Sequence, residues 1–208
     1  MENKISFKER VRLIAIENAH VYMRELMSYE YLVCSKAFPF GYKIIKADGN
    51  NYLHLIGVNS NLTAIQFWEK CLCGTLMNDD FDFKKKGQEE KAVKGSVRQK
   101  IQVLGRVSEM FLGHYDLIAE EAFHKNKVEC AFATSDNTCT LGFAESGRPK
   151  SLMKSNELSD KAKKVDLIFR RPRNSQEKFK VLCFGKKENI YDYRDFLEIL
   201  VEMSLLVN

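Results

Sequence analysis

Proline and glycine are scarce in this chain, at 3 and 11 of 208 residues. Long disordered linkers are rich in both, so a chain folded over most of its length is expected. Long apolar runs are also missing. The stretches around Leu13 and Leu197 are broken by Glu17, Glu198 and Glu202. Neither approaches the roughly 20 apolar residues that cross a bilayer. The Met1–Lys4 start carries no apolar run behind a basic cluster, and so no secretory signal is read there. The expectation is a cytoplasmic protein without membrane contact. The six cysteines (Cys34, Cys71, Cys73, Cys130, Cys139 and Cys183) include no pair spaced by two residues. Cys71 and Cys73 fall in a helical stretch, where i and i+2 point to different sides. Buried, reduced thiols are expected, with no metal site and no cofactor. The P-loop, the Gly-rich dinucleotide fingerprint, the nucleophile elbow and the HExxH zinc motif are all absent. Their absence removes nucleotide hydrolases, common dehydrogenases and zinc proteases from the leading readings. There are no internal repeats and no low-complexity tract.

Hydrophobic residues make up 45% of the chain. Domains commonly hold roughly 100–200 residues, so one domain over residues 1–208 is expected, with a core that needs no disulfides. The net charge of +5 is modest but clustered. Lys84-Lys85-Lys86, Lys161 with Lys163-Lys164, Arg170-Arg171 with Arg173, and Lys186-Lys187 form basic knots. Clustered Lys and Arg suit a phosphate-binding surface, because each neutralised phosphate releases counterions. They also suit an ordinary solubilising surface.

Periodicity divides the chain into elements. Ser6 to about Met27 predicts a helix with Phe7, Val11, Ile14, Tyr22 and Leu26 on one face, and Ser6 with Glu9 reads as a capping box. Tyr31–Phe38 and Tyr42–Lys46 predict a hairpin around Pro39 and Gly41. Asp48-Gly49-Asn50-Asn51 reads as a turn, and Tyr52–Val58, apolar on both faces except at His54, reads as a core strand. Helices follow over about Leu62–Leu76 and Glu89–Leu112. The second has an apolar stripe of Val93, Val97, Ile101, Leu104 and Phe111 opposite a basic row of Lys94, Arg98, Gln102 and Arg106. Lys127–Ala133 with Cys139–Ala144, and Val165–Arg170 with Lys178–Phe184, predict two hairpins; Tyr191–Leu206 predicts a last amphipathic helix. The fold class expected is α+β, a small antiparallel sheet packed against N-terminal, central and C-terminal helices.

Three features could carry chemistry. His54 stands in an apolar segment, where it is either a hydrogen-bonded core histidine or a general acid or base. Lys100 lies beside the apolar stripe of its helix rather than on the basic row, where a lysine can snorkel to the rim of a cleft. Arg148-Pro149-Lys150-Ser151-Leu152-Met153-Lys154 holds cations and a hydroxyl in a constrained loop that could grip a phosphate.

Four segments in this order carry a resemblance. They are Tyr52-Leu53-His54-Leu55-Ile56-Gly57-Val58, a helix with Phe67-Trp68, a basic helix with Lys100, and Pro149-Lys150-Ser151-Leu152-Met153. Over roughly Tyr31–Phe184 the chain resembles the phage-associated nucleases of the barnase–EndoU–colicin E5/D–RelE-like (BECR) fold. It departs from the family pattern at Asn59 and Ser60, where more basic character is usual, and at Met153, which stands for a second leucine. The resemblance implies a metal-independent endoribonuclease, a toxin in phage conflict or in a toxin–antitoxin pair, with RNA as substrate and a protein antitoxin or inhibitor as partner. Cleavage through the ribose 2′-hydroxyl needs a base, an acid and cations for the crowded phosphorane. On this reading His54 is the acid or base, Lys100 stabilises charge and Ser151 positions the phosphate. Lys150, Arg98 and Arg171 bind substrate, and Tyr52 or Tyr42 stacks a base. No carboxylate partner stands out. The competing readings are a non-catalytic nucleic-acid- or protein-binding module and a structural partner-binding protein.

Overall fold

The computed structural model describes residues 5–205. The Met1–Lys4 start and the Leu206 end expected for the last helix lie outside them. Helix α1 (Phe7–Val21) runs into a π-helical segment over Tyr22–Met27. Ser6 caps α1 by accepting from the Glu9 N–H at 3.1 Å. The Glu9 carboxylate pairs with Arg12 and Asn78 rather than closing a capping box. Strands β1 (Tyr29–Ser35) and β2 (Tyr42–Lys46) form the expected hairpin. They are followed by α2 (Gly49–Ile56), β3 (Asn59–Ser60), α3 (Ala64–Leu72), β4 (Phe81–Asp82) and α4 (Glu90–Glu109).

The second half is strand-rich. It contains β5 (Ile118–Glu121), β6 (His124–Lys125), β7 (Val128–Glu129), β8 (Phe132–Ser135), β9 (Cys139–Phe143), β10 (Pro149–Lys154), β11 (Lys163–Pro172) and β12 (Val181–Phe184). It ends in α5 (Arg194–Leu200), entered through a 3₁₀ turn over Lys187–Tyr193. Among the described residues the main sheet is antiparallel and eight-stranded, in the order β10-β9-β8-β5-β11-β1-β2 with β12 also on β11. It is therefore larger than expected. Two of its strands, β5 and β10, were not legible as strands. The sheet curls until its far side meets the β9–β10 turn: the Lys46 N–H donates to the Gly147 carbonyl at 3.1 Å, and Lys43 pairs with Glu121 at 3.0 Å and Glu145 at 3.4 Å. The class is α+β.

Alternation in β1 explains the layers. Tyr31 and Val33 face the core built with α1, α2, α3 and α4, while Leu32 and Cys34 face a second core with Phe179, Ile190, Tyr193 and Leu197. Both faces of this part of the sheet are thereby covered. The α4 stripe expected from periodicity is buried at Val93, Val97, Ile101, Leu104 and, just beyond the helix, Phe111. Among the described residues no helix is long and apolar enough to cross a membrane.

The largest correction concerns Tyr52–Val58, which is not a strand: Tyr52–Ile56 is the second half of helix α2, and Gly57 and Val58 leave it. Asp48 is an N-cap: its carboxylate accepts from the Asn50 N–H at 3.1 Å, and the Asp48 N–H donates to the Asn51 side-chain oxygen at 3.1 Å. Gly57 closes the helix in the left-handed conformation at φ 85°. The segment looked apolar on both faces because α2 is packed against α3, α4 and β10 and meets α1 through the Tyr52 hydroxyl on the Ala15 carbonyl. Tyr52, Leu55 and Ile56 are buried at helical spacing.

Candidate functional site

Helix α2 is anchored at its start. The Trp68 indole lies where a Cβ on Gly49 would sit, 2.4 Å away, so only glycine fits there. Trp68 meets Tyr52 at 5.0 Å and Tyr22 at 5.6 Å between ring centroids, in edge-on geometry. With that end fixed, the C-terminal end of α2 is held against α4 and β10.

The contact there is made by Lys100. Its Nζ donates to the backbone carbonyl of His54 at 3.0 Å, in the last turn of α2, where carbonyls lack helical partners. Its chain passes over Gly57 so closely that a Cβ at that position would be 2.9 Å from Lys100 Cδ and 3.1 Å from Nζ. Lys100 is also on the wall of a cavity of about 260 Å³ whose lining includes Gln99, Lys125, Ser151, Lys154 and Glu157. Ser151 is buried on β10. Lys100 thus touches α2 on one side and shares a cavity with Ser151 on the other.

Electrostatics follow from this packing. Burial, with Lys85 in second place, pushes the Lys100 amine down to about 8. His54 is exposed yet partly desolvated, which lowers it below the usual histidine range, and Lys100 and Lys85 lower it further. Burial likewise lowers Lys85. Glu157 is the one carboxylate on the cavity wall, and it pairs with Lys125 at 2.9 Å. Lys154 donates to the Gln102 side chain at 2.8 Å. Among the described residues no group of three or more His, Cys, Asp or Glu is placed to hold a metal ion.

Lys100 meets the His54 backbone on one side and shares a cavity with Ser151 on the other, but His54 does not line that cavity, and the other expected residues lie elsewhere. His54 is exposed at the end of a helix and is not a core histidine. Tyr52 is fully buried, and its hydroxyl donates to the Ala15 carbonyl at 2.7 Å, so it cannot stack a base. Tyr42 packs on Phe196 at 4.5 Å, on the C-terminal side of the sheet. Arg171 is held by Glu30 at 2.7 Å and by the Glu177 carbonyl at 2.8 Å, over the Phe179 ring in the second core, away from the face that carries α4. Arg98 stacks on Phe7 at 4.9 Å, on the α1 side of α4. Lys150 donates to the Glu129 carbonyl at 2.6 Å. Glu157, on the cavity wall, was missed, and no local pattern marks it.

A family model described as phage-Barnase-EndoU-ColicinE5/D-RelE like nuclease4 matches residues 15–197, most of the chain. The chain belongs to that nuclease family. The match runs from within α1 to within α5, and it includes every residue of the Lys100 cavity. It supports a nuclease function in general and a nucleic acid as the partner class. No curated protein and no solved structure matches the chain.

Proposed function

We propose that this nuclease-family chain is an endoribonuclease that cleaves RNA without a metal ion, in the role of a toxin in phage conflict or in a toxin–antitoxin pair. A protein antitoxin or inhibitor would then be its natural partner. The observation that carries the reading is the position of Lys100, bonded to the His54 backbone and sharing a cavity with Ser151. In the reaction the ribose 2′-oxygen attacks the adjacent phosphorus and the bond to the 5′-oxygen breaks. A base takes the 2′-hydroxyl proton and an acid protonates the leaving 5′-oxygen, giving a 2′,3′-cyclic phosphate and a free 5′-hydroxyl. His54, whose affinity for a proton is lowered by partial desolvation and by its cationic neighbours, suits the proton-transfer step. Lys100 stabilises the phosphorane charge and the Ser151 hydroxyl positions a phosphate oxygen.

Incubating the purified protein with single-stranded RNA in EDTA tests the proposal. Cleavage to cyclic-phosphate ends, lost in His54→Ala, is the expected result. Cleavage by His54→Ala at the wild-type rate would remove His54 from the mechanism. Salt-dependent RNA binding with no cleavage would return the chain to a non-catalytic nucleic-acid-binding module.

A further inference from the structure

Three lysines and one carboxylate line the cavity that holds Lys100. They come from four parts of the chain: Lys100 from α4, Lys125 from β6, Lys154 from β10 and Glu157 from the loop after β10. Glu157 is placed by its own backbone N–H, which donates to the Thr140 hydroxyl of β9 at 2.9 Å. Its carboxylate holds Lys125 at 2.9 Å. The other two ammonium groups are held by neutral oxygens. Lys100 Nζ donates to the His54 carbonyl at 3.0 Å, and Lys154 Nζ donates to the Gln102 amide oxygen at 2.8 Å, which ties β10 to α4. Such bonds fix the direction of a lysine but do not cancel its charge. Ser151, only 8% exposed, lies on the same wall. At about 30 Å³ of liquid volume per water, a cavity of about 260 Å³ admits a tetrahedral anion with part of its hydration shell. Uncancelled cations around one space favour an anion there, and phosphate oxygens accept charge-assisted bonds from lysine.

We propose that this cavity is a phosphate-binding subsite for the RNA backbone, with Lys100 and Lys154 as its cations and Lys125 released to it by Glu157 when a phosphate enters. The assignment deepens the ribonuclease reading and rests on it for the source of the phosphate. Lys100 and Lys154 are already held across element boundaries, so little ordering is left to do on binding. The Lys125–Glu157 pair lies nearer the surface, with the two side chains 46% and 28% exposed. Exposed ion pairs hold weakly, and a phosphate oxygen can take the place of the carboxylate beside Lys125. Until that exchange Glu157 repels the anion. His54 does not line the cavity. The subsite therefore grips the backbone, and proton transfer is left to the α2 side of Lys100.

The test compares wild type with Lys154→Met, Glu157→Gln and a control, Lys186→Met, which removes an exposed charge just ahead of the Lys187–Tyr193 turn. Each protein is titrated calorimetrically with inorganic phosphate and assayed for RNA cleavage. Lys154→Met should weaken phosphate binding by about tenfold and raise KM for RNA with kcat little changed, as loss of a binding contact does. Glu157→Gln should shift phosphate binding the opposite way and tighten it, because the competing carboxylate is gone. Lys186→Met should match wild type. The inference is overturned if wild type shows no saturable phosphate binding, if Lys154→Met binds phosphate like Lys186→Met, or if Glu157→Gln binds it more weakly than wild type. Phosphate binding that needs Lys154, with an unchanged KM for RNA in Lys154→Met, would overturn the assignment to the RNA backbone. If wild type cuts no RNA yet phosphate binding needs Lys154, the subsite stands and the cleavage reading falls. If RNA is cut and Lys154→Met is unimpaired in both assays, the cleavage reading stands and the subsite falls.

Discussion

Lys100 Nζ and the backbone carbonyl of His54 are 3.0 Å apart, joined across 46 residues of chain. One hydrogen bond therefore both caps α2 and fixes the side chain of a lysine that lines a cavity with Ser151. Replacing this lysine has two separable effects. Lys100→Met should cost about 1 kcal/mol of stability for the lost bond and lower cleavage by roughly 10²–10³-fold for the lost charge. Thermal denaturation and single-turnover cleavage read the two independently. A variant with the stability loss and full activity would make Lys100 a helix cap only.

Gly57 supports that lysine. At φ 85° a side chain is strained by about 1–2 kcal/mol, and an added Cβ would meet Lys100 Cδ at 2.9 Å. Gly57→Ala should destabilise the protein by more than the backbone strain alone. The excess should vanish when Gly57→Ala is combined with Lys100→Ala, which a double-mutant cycle by chemical denaturation measures.

The pH dependence has a definite sign. Lys100 is pushed down to about 8 in the fold, whereas an unfolded lysine titrates near about 10.4. Between those values the unfolded chain holds more protons, so stability should rise with pH there, and Lys100→Met should flatten the rise. Cleavage should move the other way over the same window, falling as pH passes about 8 and the amine loses its charge. At the acid side cleavage should fall as His54 protonates, at a pH below the usual histidine range. A bell-shaped profile of kcat/KM checks both limbs, and Lys100→Met should remove the alkaline one.

Tyr52 and Arg171 should behave as structural residues. Tyr52→Phe removes the bond to the Ala15 carbonyl and should cost about 1 kcal/mol while RNA affinity is unchanged. Arg171→Met leaves Glu30 without its cation and should lower the melting temperature with no change in the salt dependence of RNA binding. Filter-binding titrations over a range of salt concentrations decide the point. A flatter salt slope in Arg171→Met would bring that residue back to the nucleic-acid surface.

Much of the architecture was written locally in the chain. The stripe from Val93 to Leu104 predicts α4, the apolar and aromatic run Tyr31–Phe38 ending at Pro39 and Gly41 predicts β1, and Ser135-Asp136-Asn137-Thr138 marks the turn between β8 and β9. These elements were legible because one face is buried and the other is not, or because turn residues bound them. Helix α2 was not legible, since packing on several sides erased its periodicity; its capping residues Asp48 and Asn51 and its terminal Gly57 were the surviving signal. Strand β10 was hidden in the same way, with Ser151 and Leu152 both buried.

By itself the sequence determined the helices and hairpins with one covered face, the basic surplus, and the family to which the chain belongs. Tertiary structure decided what those pieces do for one another. Tyr52 and His54 are two residues apart, yet one is sealed under Trp68 and the other stands in solvent, because neighbours on a short helix turn to different sides. Arg171 and Lys100 are both cationic side chains, yet Arg171 is paired with Glu30 while Lys100 donates to the His54 backbone carbonyl. Which cation stays available for a phosphate depends on which acids the fold sets nearby, and pairings across distant segments leave no mark in local periodicity.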